Sequence, residues 1–460
     1  ALAIKDKNLD GIVITEDKKR YYTDSNFAQY VLGFTGTDHV GLYGVEAVFN
    51  DVLKGEDGVQ TMLADSKGRK LESSVNTKKD AKAGSHVVLA LDSIIQYYTE
   101  NAVYEAYLDN KPKRVIAIVS DPNTGEILAM AVYPGYNLND PWDLNADFVT
   151  AYGSSLDGME LGEKQLEMWK NPFTSFIYEP GSTFKVITTS SALEENVVNL
   201  NTSFDCSGYL VVGGIKIKDH IYPRSHGHED LTMAVSNSCN PAMMKIAMMM
   251  GPDIFYKYIY NYGFGEKTGI SLDSEESGIL SANQDVNLVD FVTLAFGQGL
   301  GVTPVQMVQA LNASINGGEL LKPLVAKHIV DPETGDVSYT YEKQLVRQVI
   351  SEDTSIKMRN ILKTTADNNN ALSQWRDVQL GGKTGTAQKY EGGRYLNSRY
   401  VASFYGFAPY DDPKLSVLVI VDEPSGTYTT GGSVASPIGG EILTNCLSYL
   451  NATEHSSVGA

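Results

Sequence analysis

Two side chains suited to nucleophilic catalysis lie three residues apart in the segment Pro180-Gly-Ser-Thr-Phe-Lys185. Pro-Gly predicts a turn, and the apolar residues that follow predict a buried helix carrying Ser182 at its N-terminus and Lys185 on the same face. Burial and the positive end of a helix both lower the pKa of a lysine, so a neutral Lys185 could deprotonate Ser182. An N-cap serine followed by a lysine that reaches solvent is the structural alternative.

A second pair of polar side chains, Ser238 and Asn240, flanks Cys239 before a helical pattern over residues 242–250. Pro241 stands where the first helical residue would be, which makes Asn240 a natural N-cap, and capping is the alternative to a catalytic role. Because the tripeptide lies between two apolar helical patterns, we expect its hydroxyl and amide to project from a loop into a cleft.

The third motif is Lys383-Thr384-Gly385-Thr386, which follows two further glycines. Glycines in a strand allow close approach of a ligand or another backbone, and a cation beside two hydroxyls suits a carboxylate. The segment is not a phosphate-binding loop, because Asp377 occupies a position where that motif needs a glycine. A second Lys-Thr-Gly sequence, beginning at Lys267, lacks the last threonine and is interpreted as a surface turn.

The elements that must position these motifs are predicted from hydrophobic periodicity. Asp92 is expected to cap a helix extending to about residue 108, and the turn sequence Asp121-Pro-Asn-Thr-Gly125 predicts a hairpin, with a second hairpin at the similar Asp331-Pro-Glu-Thr-Gly335. Helical patterns dominate residues 184–315. Strands are predicted over residues 378–389, 401–408 and 415–421, and a terminal helix over about 437–450. This order predicts an α+β fold with an antiparallel sheet.

The first 84 residues differ in composition, being polar and interrupted by glycines. A strand-like run at residues 11–15 alternates with a helical pattern at 44–53, and residues 78–82 with Gly84 resemble a linker. This part contains few apolar residues, so we expect it to pack against the remainder of the chain.

Charge and composition exclude several classes of protein. The 460 residues contain 37 Lys and Arg against 56 Asp and Glu, a formal net charge of −19 that disfavours nucleic acid. No apolar stretch approaches the ~18 residues of a membrane span. No Gly-x-Gly-x-x-Gly motif follows a strand, so a dinucleotide cofactor is not expected.

Three cysteines, Cys206, Cys239 and Cys446, are too scattered for a disulfide framework, and we expect small buried apolar side chains, with at least one thiol free or paired between chains. A zinc site is an alternative for His226-Gly-His228-Glu229, with Asp219 and His220 nearby. Neither a metal nor a cofactor is predicted.

In the order Ser-x-x-Lys, Ser-x-Asn, Lys-Thr-Gly-Thr, the three motifs resemble the penicilloyl-serine transferase signature. The chain resembles a class B penicillin-binding protein, a monofunctional peptidoglycan D,D-transpeptidase of division, elongation or sporulation. Further similar segments are Glu179-Pro-Gly-Ser-Thr-Phe-Lys185, Gly297-Gln-Gly-Leu-Gly-Val-Thr-Pro304 and Gly431-Gly-Ser-Val-Ala-Ser-Pro437. The resemblance implies a penicillin-binding transpeptidase domain over residues 85–450. Its fold would be an antiparallel sheet flanked by helices, together with an all-helical subdomain. It also implies part of an N-terminal pedestal over residues 1–84 and a tail over 451–460.

The resemblance also implies roles for the motif residues. Ser182 would attack the donor D-Ala-D-Ala carbonyl, Lys185 would be the general base, Ser238 would relay a proton, and Asn240 would bind Lys185 and the substrate amide. Lys383, Thr384 and Thr386 would bind the terminal carboxylate, and Gly385 would belong to the same substrate-binding segment. The backbone N–H groups of Ser182 and Thr386 would form the oxyanion hole.

An amine from a second stem peptide would resolve the acyl-enzyme, and β-lactam antibiotics would label Ser182. The resemblance implies no cofactor, a membrane glycosyltransferase and other wall-synthesis proteins as partners, and a place on the outer face of the cytoplasmic membrane through an N-terminal anchor outside this chain. A β-lactamase, a β-lactam sensor and a non-catalytic scaffold are the alternative functions.

Overall fold

The structure, a computed structural model, describes residues 12, 19–61, 63, 65, 77–391 and 393–457. The α-helices of this part are α1 (Gln29–Leu32), α2 (Gly44–Val48), α3 (Asn50–Leu53), α4 (Ser93–Asn110), α5 (Ala146–Tyr152), α6 (Leu161–Trp169), α7 (Pro172–Ser175), α8 (Lys185–Glu194), α9 (Leu231–Ser236), α10 (Asn240–Met250), α11 (Pro252–Asn261), α12 (Leu288–Leu294), α13 (Pro304–Ala313), α14 (Glu352–Asp367) and α15 (Ser436–Ser457).

The strands of the same part are β1 (Val59–Thr61), β2 (Thr77–Lys79), β3 (His86–Leu89), β4 (Arg114–Ser120), β5 (Ile127–Tyr133), β6 (Ser203–Cys206), β7 (Tyr209–Val212), β8 (Ile215–Lys218), β9 (Gly227–Asp230), β10 (Glu319–Leu321), β11 (Ala326–Val330), β12 (Val337–Thr340), β13 (Leu345–Gln348), β14 (Gly381–Glu391), β15 (Arg394–Ala408) and β16 (Leu415–Asp422).

A five-stranded antiparallel sheet in the order β14-β15-β16-β4-β5 forms the centre of the molecule. Alternate residues of β16 face opposite cores: Val417 and Val419 pack with α4 and α15, whereas Leu418 and Ile420 pack with the helical block that contains α8 and α13. Every residue of β16 is therefore buried, which explains the continuous apolar run over residues 417–421 within it. Among the described strands, β14 and β5 are the two edges of this sheet, and β14 pairs within the sheet on one side only.

The predicted α+β class and antiparallel sheet are confirmed. Helix α4 begins after Asp92, whose carboxylate accepts the backbone N–H groups of Ile94 and Ile95. The two Asp-Pro-x-Thr-Gly turns close the hairpins β4–β5 and β11–β12. In each turn an aspartate accepts backbone N–H groups and a glycine adopts positive φ, +81° at Gly125 and +77° at Gly335.

Two local predictions differ from the structure, and a third lies outside the described residues. Residues 78–82 are not simply a linker, because Lys78 and Lys79 belong to β2 and pair with β1. The helical block also contains two short antiparallel pairs, β6–β9 and β7–β8, whose four-residue strands give no clear periodicity in the sequence. The strand-like run at residues 11–15 lies outside the described residues, apart from Ile12.

The described N-terminal residues share an apolar core with the larger region. The Phe34 ring lies 5.6 Å from Tyr136 and 5.3 Å from Trp169, centroid to centroid, and the Gly44 backbone N–H donates to Asp273 Oδ1 at 2.7 Å. The packing predicted for this part is thus observed. No helix within the described ranges is long and apolar enough to cross a membrane.

Candidate active site

Ser182 lies in a 3-10 turn, Gly181–Phe184, that continues directly into α8. The turn begins with Gly181 at φ +57°, whose N–H donates to Gly297 O at 3.1 Å. A Cβ at Gly297 would lie 2.2 Å from Gly181 O, so only glycine allows this approach. The loop containing Gly297 thereby fixes the segment that presents Ser182, which is partly exposed.

Lys185, one turn after Ser182, is completely buried and makes three hydrogen bonds through its ammonium group. Its Nζ donates to Asn240 Oδ1 at 2.7 Å, to Ser238 O at 2.6 Å and to Ser238 Oγ at 3.0 Å. Burial lowers the pKa of Lys185 well below its ordinary value, and the nearby Lys383 charge lowers it further against the opposing charge of Asp219. The alternative of a lysine that reaches solvent is wrong for this residue.

Lys383, on β14, is the second buried cation of the site, with 1% of its surface exposed. Its Nζ donates to Ser238 Oγ at 3.1 Å and to Thr384 O at 2.9 Å. Burial lowers the pKa of Lys383 to about 7. The Ser238 hydroxyl oxygen is thus shared by both lysines, which gives a continuous chain of polar atoms from α8 to the sheet edge.

The loop between α9 and α10 presents Ser238 at φ +56°, an uncommon conformation for a non-glycine residue. Cys239 occupies the N-cap position of α10 and Asn240 is the first helical residue, so the capping interpretation of Asn240 is wrong. Its side-chain oxygen is directed to Lys185 instead. A strained backbone at such a position is typical of functional sites, where the surrounding structure enforces it.

Strand β14 lies against the Ser182 turn along its glycine-rich stretch. A Cβ at Gly385 would lie 2.5 Å from Ser403 Oγ and 2.9 Å from Pro180 O, and one at Gly181 would lie 3.1 Å from Thr386 O. Thr386 is exposed, and its Oγ1 accepts the N–H of Gly431 at 3.0 Å. The structure therefore brings together the turn of Ser182 and the strand segment of Thr384, Gly385 and Thr386.

The expectation for the cysteines is wrong for two of them. Cys206, on β6, and Cys239 form a disulfide across 33 residues of sequence, and only Cys446 is a buried free thiol among the described cysteines. Strand β6 packs beside α10, which brings the two sulfurs together, and their sequence spacing carries no sign of this. Burial raises the pKa of Cys446 to about 12, so this thiol is unreactive.

The histidine cluster forms only in part. Asp219 Oδ1 contacts His220 Nδ1 at 2.7 Å, and Asp219 Oδ2 lies 3.6 Å from His226 Nε2. His228 pairs with Asp205 at 2.9 Å instead, so the His-x-His pair proposed for zinc is not assembled. The Asp219 carboxylate instead interacts with Lys185: its negative charge raises the pKa of Lys185, and the Lys185 charge lowers the pKa of Asp219.

The second Lys-Thr-Gly sequence plays no part in this network. Lys267 is exposed, and the hydroxyl of Thr268 and the N–H of Gly269 donate to the Glu275 carboxylate.

Sequence reasoning did not single out Glu179, whose Oε1 accepts the Gly299 N–H at 2.9 Å and the Tyr395 hydroxyl at 3.2 Å. The position of Glu179, three residues before Ser182, was the one feature of the sequence that could have indicated it.

Comparison with known protein families identifies the family of this chain. A family model described as the penicillin-binding protein transpeptidase domain matches residues 115–444, and one described as the penicillin-binding protein dimerisation domain matches residues 1–89. The chain belongs to the penicillin-binding protein transpeptidase family, and it is an enzyme of the D,D-transpeptidase class. The domain boundary at residue 84 stays a prediction.

The relatives include a sporulation protein and peptidoglycan D,D-transpeptidases. Stage V sporulation protein D of Bacillus subtilis is 38% identical over 453 residues, covering 98% of this chain and 67% of that protein. The peptidoglycan D,D-transpeptidase FtsI of Escherichia coli is 28% identical, covering 97% and 70%.

Solved structures agree in fold. A peptidoglycan synthetase of Bifidobacterium adolescentis superposes with a TM-score of 0.82 at 25% identity, covering 98% of this chain and 78% of that chain. Penicillin-binding protein 3 of Mycobacterium tuberculosis in complex with aztreonam gives a TM-score of 0.77 at 25% identity, covering 94% and 90%.

Proposed function

We propose that this protein crosslinks peptidoglycan stem peptides through an acyl-enzyme at Ser182, and that β-lactams inhibit it by acylating the same hydroxyl. The observation that carries the proposal is the pair of buried lysines, Lys185 and Lys383, which both donate to the Ser238 hydroxyl oxygen. Lys185 lies one turn after Ser182. The relatives named peptidoglycan D,D-transpeptidases and the aztreonam complex of a similar structure support it.

In the acylation step, neutral Lys185 takes the proton of Ser182, and the serine oxygen attacks the carbonyl between the two terminal D-alanines. The proton passes through Ser238 to the departing D-alanine amine. Asn240 holds Lys185 through its side-chain oxygen and offers its amide N–H to the substrate. The adjacent backbones of Ser182 and Thr386 supply the oxyanion hole, where losing one donor costs on the order of 10²–10³ in rate.

Substrate binding uses the free edge of β14. The ammonium of Lys383 and the hydroxyls of Thr384 and Thr386 bind the terminal carboxylate, and Gly385 leaves room for the Ser182 turn. An extended stem peptide adds to the unpaired edge as a further strand. An amine of a second stem peptide then attacks the ester, forms the crosslink and regenerates the Ser182 hydroxyl.

A crosslinking assay tests the activity directly. A donor peptide ending in D-Ala-D-Ala and an amine acceptor should yield free D-alanine and the amide-linked product with the wild type and with Ser154→Ala, which changes an exposed serine outside the site. Ser182→Ala should give neither. Amide product from Ser182→Ala would contradict the proposal, and rapid hydrolysis of β-lactams by the wild type would favour the β-lactamase alternative.

We further propose that the full-length gene product lies on the outer face of the cytoplasmic membrane, held by an N-terminal anchor, and acts with a membrane glycosyltransferase. The proposal rests on the class B resemblance. Fractionation of cells that express the full-length gene should recover it with the membranes, and recovery in the cytosol would contradict the proposal.

A further inference from the structure

A hairpin beside the active site, formed by β7 and β8, carries an excess of positive charge. Residues 207–226, the basic hairpin, include three cations, Lys216, Lys218 and Arg224, and one carboxylate, Asp219. The three cations are exposed, whereas Asp219 is buried. Within the described part of the chain, none of the three cations forms an ion pair with a carboxylate. The positive charge of the basic hairpin is therefore available to a ligand.

Two tyrosine rings hold the lysine side chains of the basic hairpin. The Lys216 Nζ lies 4.2 Å from the ring centroid of Tyr209, and the Lys218 Nζ lies 5.0 Å from that of Tyr222. Such contacts restrict where an exposed ammonium group lies. Lys216 and Lys218 are also two residues apart in one strand, so both side chains leave the same face of the hairpin. The two ammonium groups are thus presented together on that face.

The basic hairpin is tied to the loop that presents Ser238. Strand β7 begins three residues after Cys206, which is bonded to Cys239 with 6.8 Å between the two Cα atoms. Three residues of chain span at most roughly 10 Å. After β8, the buried Asp219 lies close enough to Lys185 for its negative charge to oppose the lowering of the Lys185 pKa. The basic hairpin therefore borders the side of the site formed by Ser238 and Lys185.

The proposed reaction brings the acceptor to this side. The terminal carboxylate of the donor lies at Lys383, whose ammonium contacts Ser238, so the departing D-alanine vacates the place next to these two residues. The acceptor amine enters there, because it attacks the carbonyl from which the D-alanine has left. The donor still occupies β14 from Thr386 onward, so the rest of the acceptor extends towards the Ser238 loop and the basic hairpin.

The charge of the acceptor complements the basic hairpin. A stem peptide that supplies an amine also carries a free C-terminal carboxylate. The protein has a formal net charge of −19, so most of its surface repels an anionic peptide. A group of unpaired cations beside the site removes this repulsion locally and favours the orientation in which the carboxylate faces the hairpin.

We infer that the basic hairpin binds the acceptor stem peptide, with Lys216, Lys218 and Arg224 holding its free carboxylates while its amine reaches the ester at Ser182. The inference rests on the proposed acyl-serine function and adds the recognition of the second substrate. In the step that it serves, the amine nitrogen forms the amide bond, the ester C–O bond breaks, and a proton of the amine passes to the Ser182 oxygen.

Two acceptor peptides test the inference. Both carry the same single primary amine, but one has free carboxylates and the other has each carboxylate converted to a primary amide. With one donor ending in D-Ala-D-Ala, the rate of crosslinked product at low acceptor concentration gives kcat/KM for each acceptor. In the wild type this value should be about fivefold higher for the acidic acceptor, as expected of exposed ion pairs. The ratio should fall as the salt concentration rises.

A pair of double variants shows whether the hairpin causes this preference. In Lys216→Gln/Lys218→Gln the ratio should fall towards one. The matched control Lys170→Gln/Lys267→Gln removes two exposed lysines elsewhere and should keep the wild-type ratio. A wild-type ratio near one, a ratio retained in the hairpin variant, or an equal fall in the control would overturn the inference.

Two further outcomes separate folding and chemistry from acceptor binding. Melting temperatures check that each variant is folded, and Lys218→Gln alone serves if the double variant is not, with a ratio between one and that of the wild type. Absence of crosslinked product from the wild type with both acceptors would instead overturn the acyl-serine proposal itself, and the acceptor inference with it.

Discussion

The Lys185 ammonium nitrogen lies 3.0 Å from the hydroxyl oxygen of Ser238. The same oxygen accepts from Lys383 at 3.1 Å, so two buried lysines are coupled through one hydroxyl. Two like charges this close disfavour each other's protonated form, and burial adds to the effect. The site therefore makes a neutral lysine available as a base near neutral pH, where an exposed lysine would be charged.

The rate of β-lactam acylation should depend on pH in a bell-shaped manner. The pKa of Lys185 is lowered, so the neutral base forms as pH rises through that lowered value and gives the rising limb. Lys383 must be charged to bind the carboxylate and loses its charge as pH rises through about 7, which gives the falling limb. Stopped-flow acylation of the free enzyme measures both limbs. A rate that rises without a maximum to the range of an ordinary lysine would contradict this assignment.

Replacing Lys383 with methionine should stabilise the protein more at low pH than at high pH. The folded pKa of Lys383 is about 7 against an ordinary 10.5, so its unfavourable contribution is absent above 10.5, grows as pH falls and is complete below 7. The gain in unfolding free energy for Lys383→Met over the wild type should be up to about 3 kcal/mol larger at about pH 6 than at about pH 9. Denaturant unfolding at both pH values measures it.

The control for this experiment is Lys267→Met, which changes the exposed lysine of the second Lys-Thr-Gly sequence. Its effect on stability should be small at both pH values. Equal pH dependence of the two variants would mean that Lys383 is not buried as the structure shows.

Two adjacent glycines provide a steric test of the strand position. A Cβ at Gly431 would lie 2.2 Å from Gly385 O and 2.4 Å from Ser403 O, whereas one at Gly432 meets nothing within 4 Å. Gly431→Ala should displace the Lys383–Thr386 segment and lower the acylation rate by about 10²-fold, since a misplacement of about 1 Å can have that effect. Gly432→Ala should acylate nearly as the wild type does. Equal rates for the two variants would show that the contact does not position the strand.

The disulfide predicts the number of titratable thiols. After denaturation without reductant, one cysteine per chain, Cys446, should react with a maleimide, and all three should react after reduction. Mass spectrometry of the labelled chain counts the adducts. Three adducts without prior reduction would show that Cys206 and Cys239 are not bonded.

The sequence predicted the parts of the fold that local physics determines. Asp92 caps α4 because its carboxylate matches the free N–H groups of a helix start, and the Asp-Pro-x-Thr-Gly turns need only a side-chain acceptor and a glycine at positive φ. The apolar pattern of residues 415–421 was also enough to predict strand β16, because a strand buried on both faces has a nearly continuous apolar sequence. The three motifs were identified from the residues themselves, and the structure brings them together.

What the sequence did not predict depends on contacts between distant segments. The Cys206–Cys239 disulfide forms because β6 and α10 are neighbours in space, and three cysteines allow several pairings. Asn240 was expected as a possible cap because proline follows it, but the buried Lys185 ammonium competes for its oxygen.

Covalent labelling tests the central claim, that Ser182 is the nucleophile, most directly. The wild type, incubated with a β-lactam, should gain the mass of one antibiotic molecule, and peptide mapping should place the adduct on the segment from Pro180 to Lys185. Ser182→Ala should gain no mass under the same conditions. An adduct of the same yield on Ser182→Ala, or one mapped to another residue of the wild type, would contradict the account.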